Sequence, residues 1–128
     1  MDIAIESLEQ DLNASEVDLK LASLSYISYL EKPRYKTYLL NALNDSDWEV
    51  RARCAKIVGY TGDEHLAKAL EPHLSDEVWW VRYRAAEALM KMGAVGKDIL
   101  KSKDIELDKF AYEISQQQLK SFQFNQGK

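Results

Sequence analysis

The chain repeats itself, and a period near thirty residues leaves few ways to fold. Set 31 residues apart, "DSDWEVRARCAKIVGYTG" (45–62) and "DEVWWVRYRAAEALMKMG" (76–93) agree at seven of eighteen positions. The identities are Asp45/Asp76, Trp48/Trp79, Val50/Val81, Arg51/Arg82, Arg53/Arg84, Ala55/Ala86 and Gly62/Gly93. Unrelated segments of average composition would share roughly one. The offset reaches backwards, aligning Leu8 with Leu39 and Leu70, Leu12 with Leu43 and Leu74, and Leu19 with Val50 and Val81. A unit this short cannot bury its own apolar face, so neighbouring copies must stack on a continuous core.

Each unit reads as two helices. Within 64–74, Leu66, Ala67, Leu70 and Leu74 fall at helical spacing. Asp63 suits the N-cap of that helix, and Gly62 before it suits the left-handed position that ends the preceding one. The second helix is expected over about 47–60 and again over 77–92. Its apolar stripe is Val50, Cys54, Ile57 and Val58 in one copy, and Val81, Ala85, Ala88 and Leu89 in the next. Pro33 fits a first helical turn, where its missing N–H costs nothing. Ser15 and Asp18 resemble a capping box. After residue 93 the register decays, and Leu107, Phe110, Ala111, Ile114, Gln118 and Phe122 form a shifted face. A degenerate last unit is what a capped stack requires. The pattern fades near Phe122, so 123–128 is expected to fray.

"VRARCAKIVGYTGD" and "VRYRAAEALMKMGA" resemble the signature of HEAT-like repeats of the 31-residue phycobilin-lyase type. That resemblance is strongest over 39–93. It implies an all-α, right-handed α-solenoid of stacked helix pairs in a single domain, 1–122, with units at about 1–31, 32–62, 63–93 and 94–122. It also implies that Arg51 and Arg82 pair with the aspartates that open the helices, Asp45 and Asp76, forming a ladder between units. In stacked HEAT units the second helices line the concave face.

Counting 100° per residue from the buried stripe, Trp80, Tyr83, Arg84 and Glu87 fall on the flank away from the first helix, with Trp79 beside them. The previous unit supplies Trp48, Glu49, Ala52, Arg53 and Lys56. Ile114, Gln118, Lys20 and Tyr26 are candidates to extend this strip. Tryptophan, tyrosine and arginine are the residues enriched in interaction hot spots. For Trp48 and Trp79, packing on the neighbouring unit and ligand binding both stay open. Trp80, which stands where the previous unit has Glu49, is read as a binding residue.

Other chemistry finds little support. A lone cysteine, Cys54, excludes an internal disulfide, and its alignment with Ala85 marks a small core residue. His65 and His73 are placed on the surface of a first helix, without metal-ligand spacing. HEAT-fold hydroxylases hold iron with His-Glu dipeptides, whereas this chain has only Glu64-His65, in reverse order. No phosphate-loop or nucleophile-elbow motif occurs. The "QQQ" run and the lysines of 97–109 read as solvated surface. No cofactor, metal site or catalytic residue is expected.

Some HEAT-fold glycosylases place Trp, Asp and Arg on a concave face over DNA. Here the short chain and a net charge of −4 disfavour nucleic acid. Residues 1–31 alone carry seven acids and one base. "MDIAIESLEQDL" has acids where a secretion signal needs basic residues, and no apolar run approaches a membrane span. The expectation is therefore a cytoplasmic, non-enzymatic scaffold that binds a protein or peptide on its concave strip. A phycobilin-lyase-like or bilin-handling role is the alternative that the resemblance implies. The open ends of a solenoid are also available for self-association.

Overall fold

Two glycines punctuate the chain. Gly62 and Gly93 both sit at φ 62°, a left-handed conformation that a side chain would strain. The computed structural model describes residues 20, 21, 24 and 32–126. The expectations for Leu8, Leu12, Leu19, Ile27, Tyr26 and the Ser15/Asp18 capping box lie outside those residues. Lys20, Leu21 and Leu24 are helical. Helix α1 spans Lys32–Ala42, with Pro33 in its first turn. Helix α2 spans Trp48–Thr61 and stops at Gly62, whose N–H donates to the Gly59 carbonyl. Asp63 then caps the next element, its side chain accepting from the His65 N–H at 3.0 Å.

That next element differs from the single helix expected over 64–74. It is a 3-10 turn at Glu64–Leu66, one α-turn at Ala67–Leu70 (α3) and a second 3-10 segment at Glu71–Ser75. Pro72 explains the break. It has no N–H for the carbonyl four residues back, and its ring crowds that turn. Helix α4 spans Trp79–Met90, α5 spans Gly93–Lys101 and α6 spans Lys109–Gln126. The backbone therefore stays helical beyond Phe122, where the sequence pattern had already faded. The described residues contain no strand, and the architecture is an all-α solenoid.

The second helices pack side by side, α2 on α4 and α4 on α6. Their buried stripes are those the periodicity marks: Val50, Cys54 and Val58 in α2, and Val81, Ala85 and Leu89 in α4. Leu39, Leu43, Leu66, Leu70 and Leu74 close the core from the other layer, and with Leu24 of the preceding unit they are fully or almost fully buried. Burying one such side chain is worth about 1.5–3 kcal/mol, so this row dominates the stability of the stack.

Helix α6 slips by one residue. Helical bonding starts from the carbonyls of Asp47, Val78 and Asp108, so the first two starts are 31 residues apart and the last two only 30. One residue rotates a helix by about 100°. The slip sets Ala111 and Ser115 in the core places of Val81 and Ala85, and Ile114 is buried beside them. Phe110, 54% exposed, takes the place of Trp80, and Leu107, 86% exposed, lies in the turn before the helix. Ile114 is therefore core, not strip, and Gln118 is only partly exposed. Asp108 caps α6, accepting the Ala111 N–H at 3.0 Å and the Ser75 hydroxyl.

Three polar residues also depart from expectation. His73 is buried, beside Leu74 in the second 3-10 segment. Lys103 is no free surface lysine, because it donates to Glu71. Lys20 is buried and leaves the strip for the ladder, donating to Asp45 at 2.9 Å.

Candidate functional site

The ladder fixes the spacing of the units that carry the site. Arg51 Nε and Nη2 donate to the two carboxylate oxygens of Asp76, at 2.8 and 3.1 Å, across a unit boundary. Its Nη1 donates to the carbonyls of Asp45 and Ser46, at 2.9 and 3.0 Å. Asp45 and Asp76 each accept the backbone N–H two residues on, at 2.9 Å, which holds the loop entering α2 or α4. Each rung thus joins a basic residue of one unit to the aspartate of the next: Lys20 to Asp45, then Arg51 to Asp76. Arg82 departs from this pattern. It donates to the Asp76 carbonyl at 2.7 Å and lies over the Phe110 ring, 4.4 Å from its centroid. Burial alone would raise the Asp76 carboxyl. The Arg51 hydrogen bonds, the Val78 N–H and the charges of Arg51 and His73 outweigh it and hold Asp76 below the ordinary carboxylate range.

Between the helices so spaced lies an open groove of about 270 Å³. Its lining is Leu21 from the preceding unit, Trp48, Glu49, Ala52, Arg53 and Lys56 from α2, and Trp80 and Arg84 from α4. Six of the nine predicted strip residues therefore meet in one concavity. The other three touch its wall. Trp79 stacks on Tyr83 with ring centroids 5.2 Å apart, Trp80 packs edge-on against both, and Glu87 pairs with Arg84 at 3.0 Å. Sequence reasoning missed Leu21, although the 31-residue offset sets it opposite Ala52 and Tyr83.

Helices α2 and α4 approach each other tightly near their C-terminal ends. A Cβ on Gly59 would lie 2.9 Å from the Ala88 Cα. The groove occupies the N-terminal halves, where α2 and α4 present large side chains. Trp48, Trp79 and Trp80 are 40%, 43% and 48% exposed. Holding indole rings half in water forgoes hydrophobic stabilisation that burial would give. Arg84 stands over Trp80 and Tyr83, 5.5 and 5.7 Å from their centroids, and its contact with Glu87 fixes its fork. At the far end of α2, Tyr60 is 66% exposed, with Lys91 and Lys56 ammonium groups 4.2 and 5.9 Å from its ring centre.

The remaining reactive groups are buried away from this groove. Cys54 has no exposed surface, its thiol donates to the Leu39 carbonyl at 3.2 Å, and burial pushes its pKa strongly upward. Iodoacetamide at pH 8 should therefore leave Cys54 unmodified in the folded protein and alkylate it in urea, as intact mass will show. Rapid native alkylation would contradict the burial. Among the described residues no cluster of three His, Cys, Asp or Glu side chains could hold a metal, and no helix is long and apolar enough to cross a membrane.

Comparison with known proteins agrees with this architecture. A curated relative, "Bilin biosynthesis protein MpeU" from Synechococcus sp. (strain WH8020), is 37% identical over 89 residues. The match covers 66% of this chain and 30% of that protein, so the chain corresponds to under a third of the relative's length. A family profile described as HEAT repeats matches residues 37–104, more than half of the chain, including the Arg51–Asp76 rung and most of the groove lining. The chain belongs to the HEAT-repeat family.

Proposed function

We propose that this chain is a non-enzymatic binding scaffold that seats a protein or peptide segment in the groove between α2 and α4. The observation that carries this reading is the half-exposed pair Trp48 and Trp80 across a 270 Å³ groove built from three successive units. Large aromatic side chains kept in water at a concavity are the arrangement of interaction hot spots, in which a few residues supply most of the affinity. The lining supports binding, not bond-making. It pairs no nucleophile with a base, and the one thiol is buried elsewhere.

Truncating the wall tests this directly. A Trp80→Ala/Tyr83→Ala variant, first shown to be folded by circular dichroism, should lose a partner that the unaltered protein captures from its source lysate. Loss of such anchors costs about 2 kcal/mol or more, roughly a thirtyfold weakening. Equal capture by both proteins would reassign Trp80 to packing.

The relative's name favours a second reading, in which the chain handles a bilin. An aromatic wall with three cations would suit a flat, conjugated molecule bearing carboxylates. Against it, small-molecule pockets occupy about 300–1,000 Å³ and enclose most of their ligand. A groove of about 270 Å³ would leave much of a four-ring chromophore outside. Visible absorbance of pigment co-purified with the protein would favour the bilin reading, and a colourless preparation able to capture a protein would favour the first.

A further inference from the structure

The geometry points to an acidic segment as the groove's occupant: a short stretch of a partner protein in which an apolar side chain is flanked by Asp or Glu. This deepens the scaffold reading and rests on it. The argument begins with charge. Arg53, Lys56 and Arg84 line the groove against a single carboxylate, Glu49, so the lining carries +2 in a chain whose net charge is −4. Positive charge is thus concentrated in the concavity of an otherwise acidic molecule. Concave sites of one sign focus the field on an approaching ligand and speed the encounter.

The three cations are not equivalent. Arg84 is ion-paired to Glu87 and held over two rings, which makes it part of the wall. Among the described residues Arg53 and Lys56 have no carboxylate partner, and Arg53 is exposed to solvent. They are one turn apart on α2, with Trp48 on the turn before and Trp80 across the groove. Cations without a carboxylate partner among the described residues, beside half-exposed indoles, match a ligand that supplies both a carboxylate and an apolar side chain. A planar guanidinium can hold a carboxylate by two parallel hydrogen bonds, whereas an ammonium acts as a point charge. Arg53 would therefore fix position and Lys56 would add attraction. The volume fits one large side chain and the start of its neighbours, which suits a linear segment.

The test is selection of a random dodecapeptide library displayed on phage, with Trp80→Ala as the counter-selected control. Enrichment of Asp and Glu around an apolar residue is the expected result. A synthetic peptide from the winning set, made without tryptophan, should then change the emission of the chain, since all three tryptophans line or touch the groove. Its affinity should fall with added salt. The Arg53→Glu/Lys56→Glu variant should bind it about tenfold more weakly or worse, and should instead select Lys- and Arg-rich peptides from the same library. Enrichment of uncharged or basic peptides by the unaltered chain, lost with Trp80→Ala, would overturn the acidic occupant and leave the scaffold reading intact. If no peptide is selected and biliverdin quenches the tryptophan emission, both fall and the bilin reading takes the groove. Phosphopeptides binding where acidic peptides do not would overturn the carboxylate assignment alone.

Discussion

Replacing Arg51 with alanine is expected to cost about 3–5 kcal/mol, the usual loss when one partner of a buried ion pair is removed. For a chain of this length that lowers the melting temperature by about 10 °C or more. The Arg51 and Asp76 side chains are only 11% and 8% exposed. Without the guanidinium, the Asp76 carboxylate stays buried and loses two hydrogen bonds, and the carbonyls of Asp45 and Ser46 lose a donor. Arg51→Lys should recover only part of the loss, because an ammonium cannot bond both carboxylate oxygens and both carbonyls in one plane. The double variant Arg51→Met/Asp76→Leu should be more stable than Arg51→Ala, since it leaves no charge stranded. A wild-type melting curve for Arg51→Ala would show that the ladder does not hold the units together.

The same pair sets an acid limit. Asp76 titrates below its ordinary 3.8 in the fold. Its stabilisation is therefore complete above that value and disappears as pH falls through the lower folded one. His73 adds to this from a higher pH. Burial lowers its pKa from 6.5, with Arg51 assisting and Asp76 opposing. A buried neutral imidazole must charge as acid is added, so its contribution also declines below 6.5. Stability measured against pH should fall from the wild type's plateau on the acid side, and Arg51→Ala should flatten the lowest part of that fall.

The ladder and the groove differ in how far the sequence could foretell them. The 31-residue offset alone marked the glycine stops and the buried stripes of α2 and α4, because each repeated position meets the same neighbours one unit further along. It also placed Lys20 opposite Arg51 and Arg82, yet lysine's flexible stem gave no sign that the side chain would be buried in a rung. The chemistry of residues 94–128 was least legible. The repeat there shortens by one residue, and a helix reads a one-residue change as a rotation large enough to exchange core for surface. Ala111 and Ser115 took the core places of Val81 and Ala85 for that reason. Pro72 was visible in the sequence, and its cost to the first helix followed from its missing N–H. The groove itself depends on how closely α2 and α4 approach, a distance that no periodicity contains. The strip residues could be grouped by angle, while the concavity had to be found in three dimensions.

Close approach also makes Gly96 the position where the smallest added group should do the most harm. Gly96 is buried in α5, and a Cβ there would lie 1.8 Å from the Leu89 carbonyl oxygen and 2.6 Å from its carbon. Two effects oppose each other in Gly96→Ala. Alanine is the better helix former by about 1 kcal/mol. Overpacking costs about 1–3 kcal/mol when side chains can yield, and more when they cannot. Every near atom here is backbone of α4, so the whole of α5 must move, and a net loss of about 2–3 kcal/mol is expected. The control is Val95→Ala, one residue away but 40% exposed, which should change stability by less than about 0.5 kcal/mol. In a stack whose units touch only their neighbours, the damage should concentrate at one end. Amide exchange should accelerate in α5 and α6 more than in α2. A Gly96→Ala variant as stable as the wild type would mean that α5 does not rest on the end of α4. If the expected pattern is found, α4 still presents Trp80 and Arg84 to the groove while its other face has lost its cover. Ligand binding measured in that variant would then separate what the groove requires of its own walls from what it requires of the stack behind them.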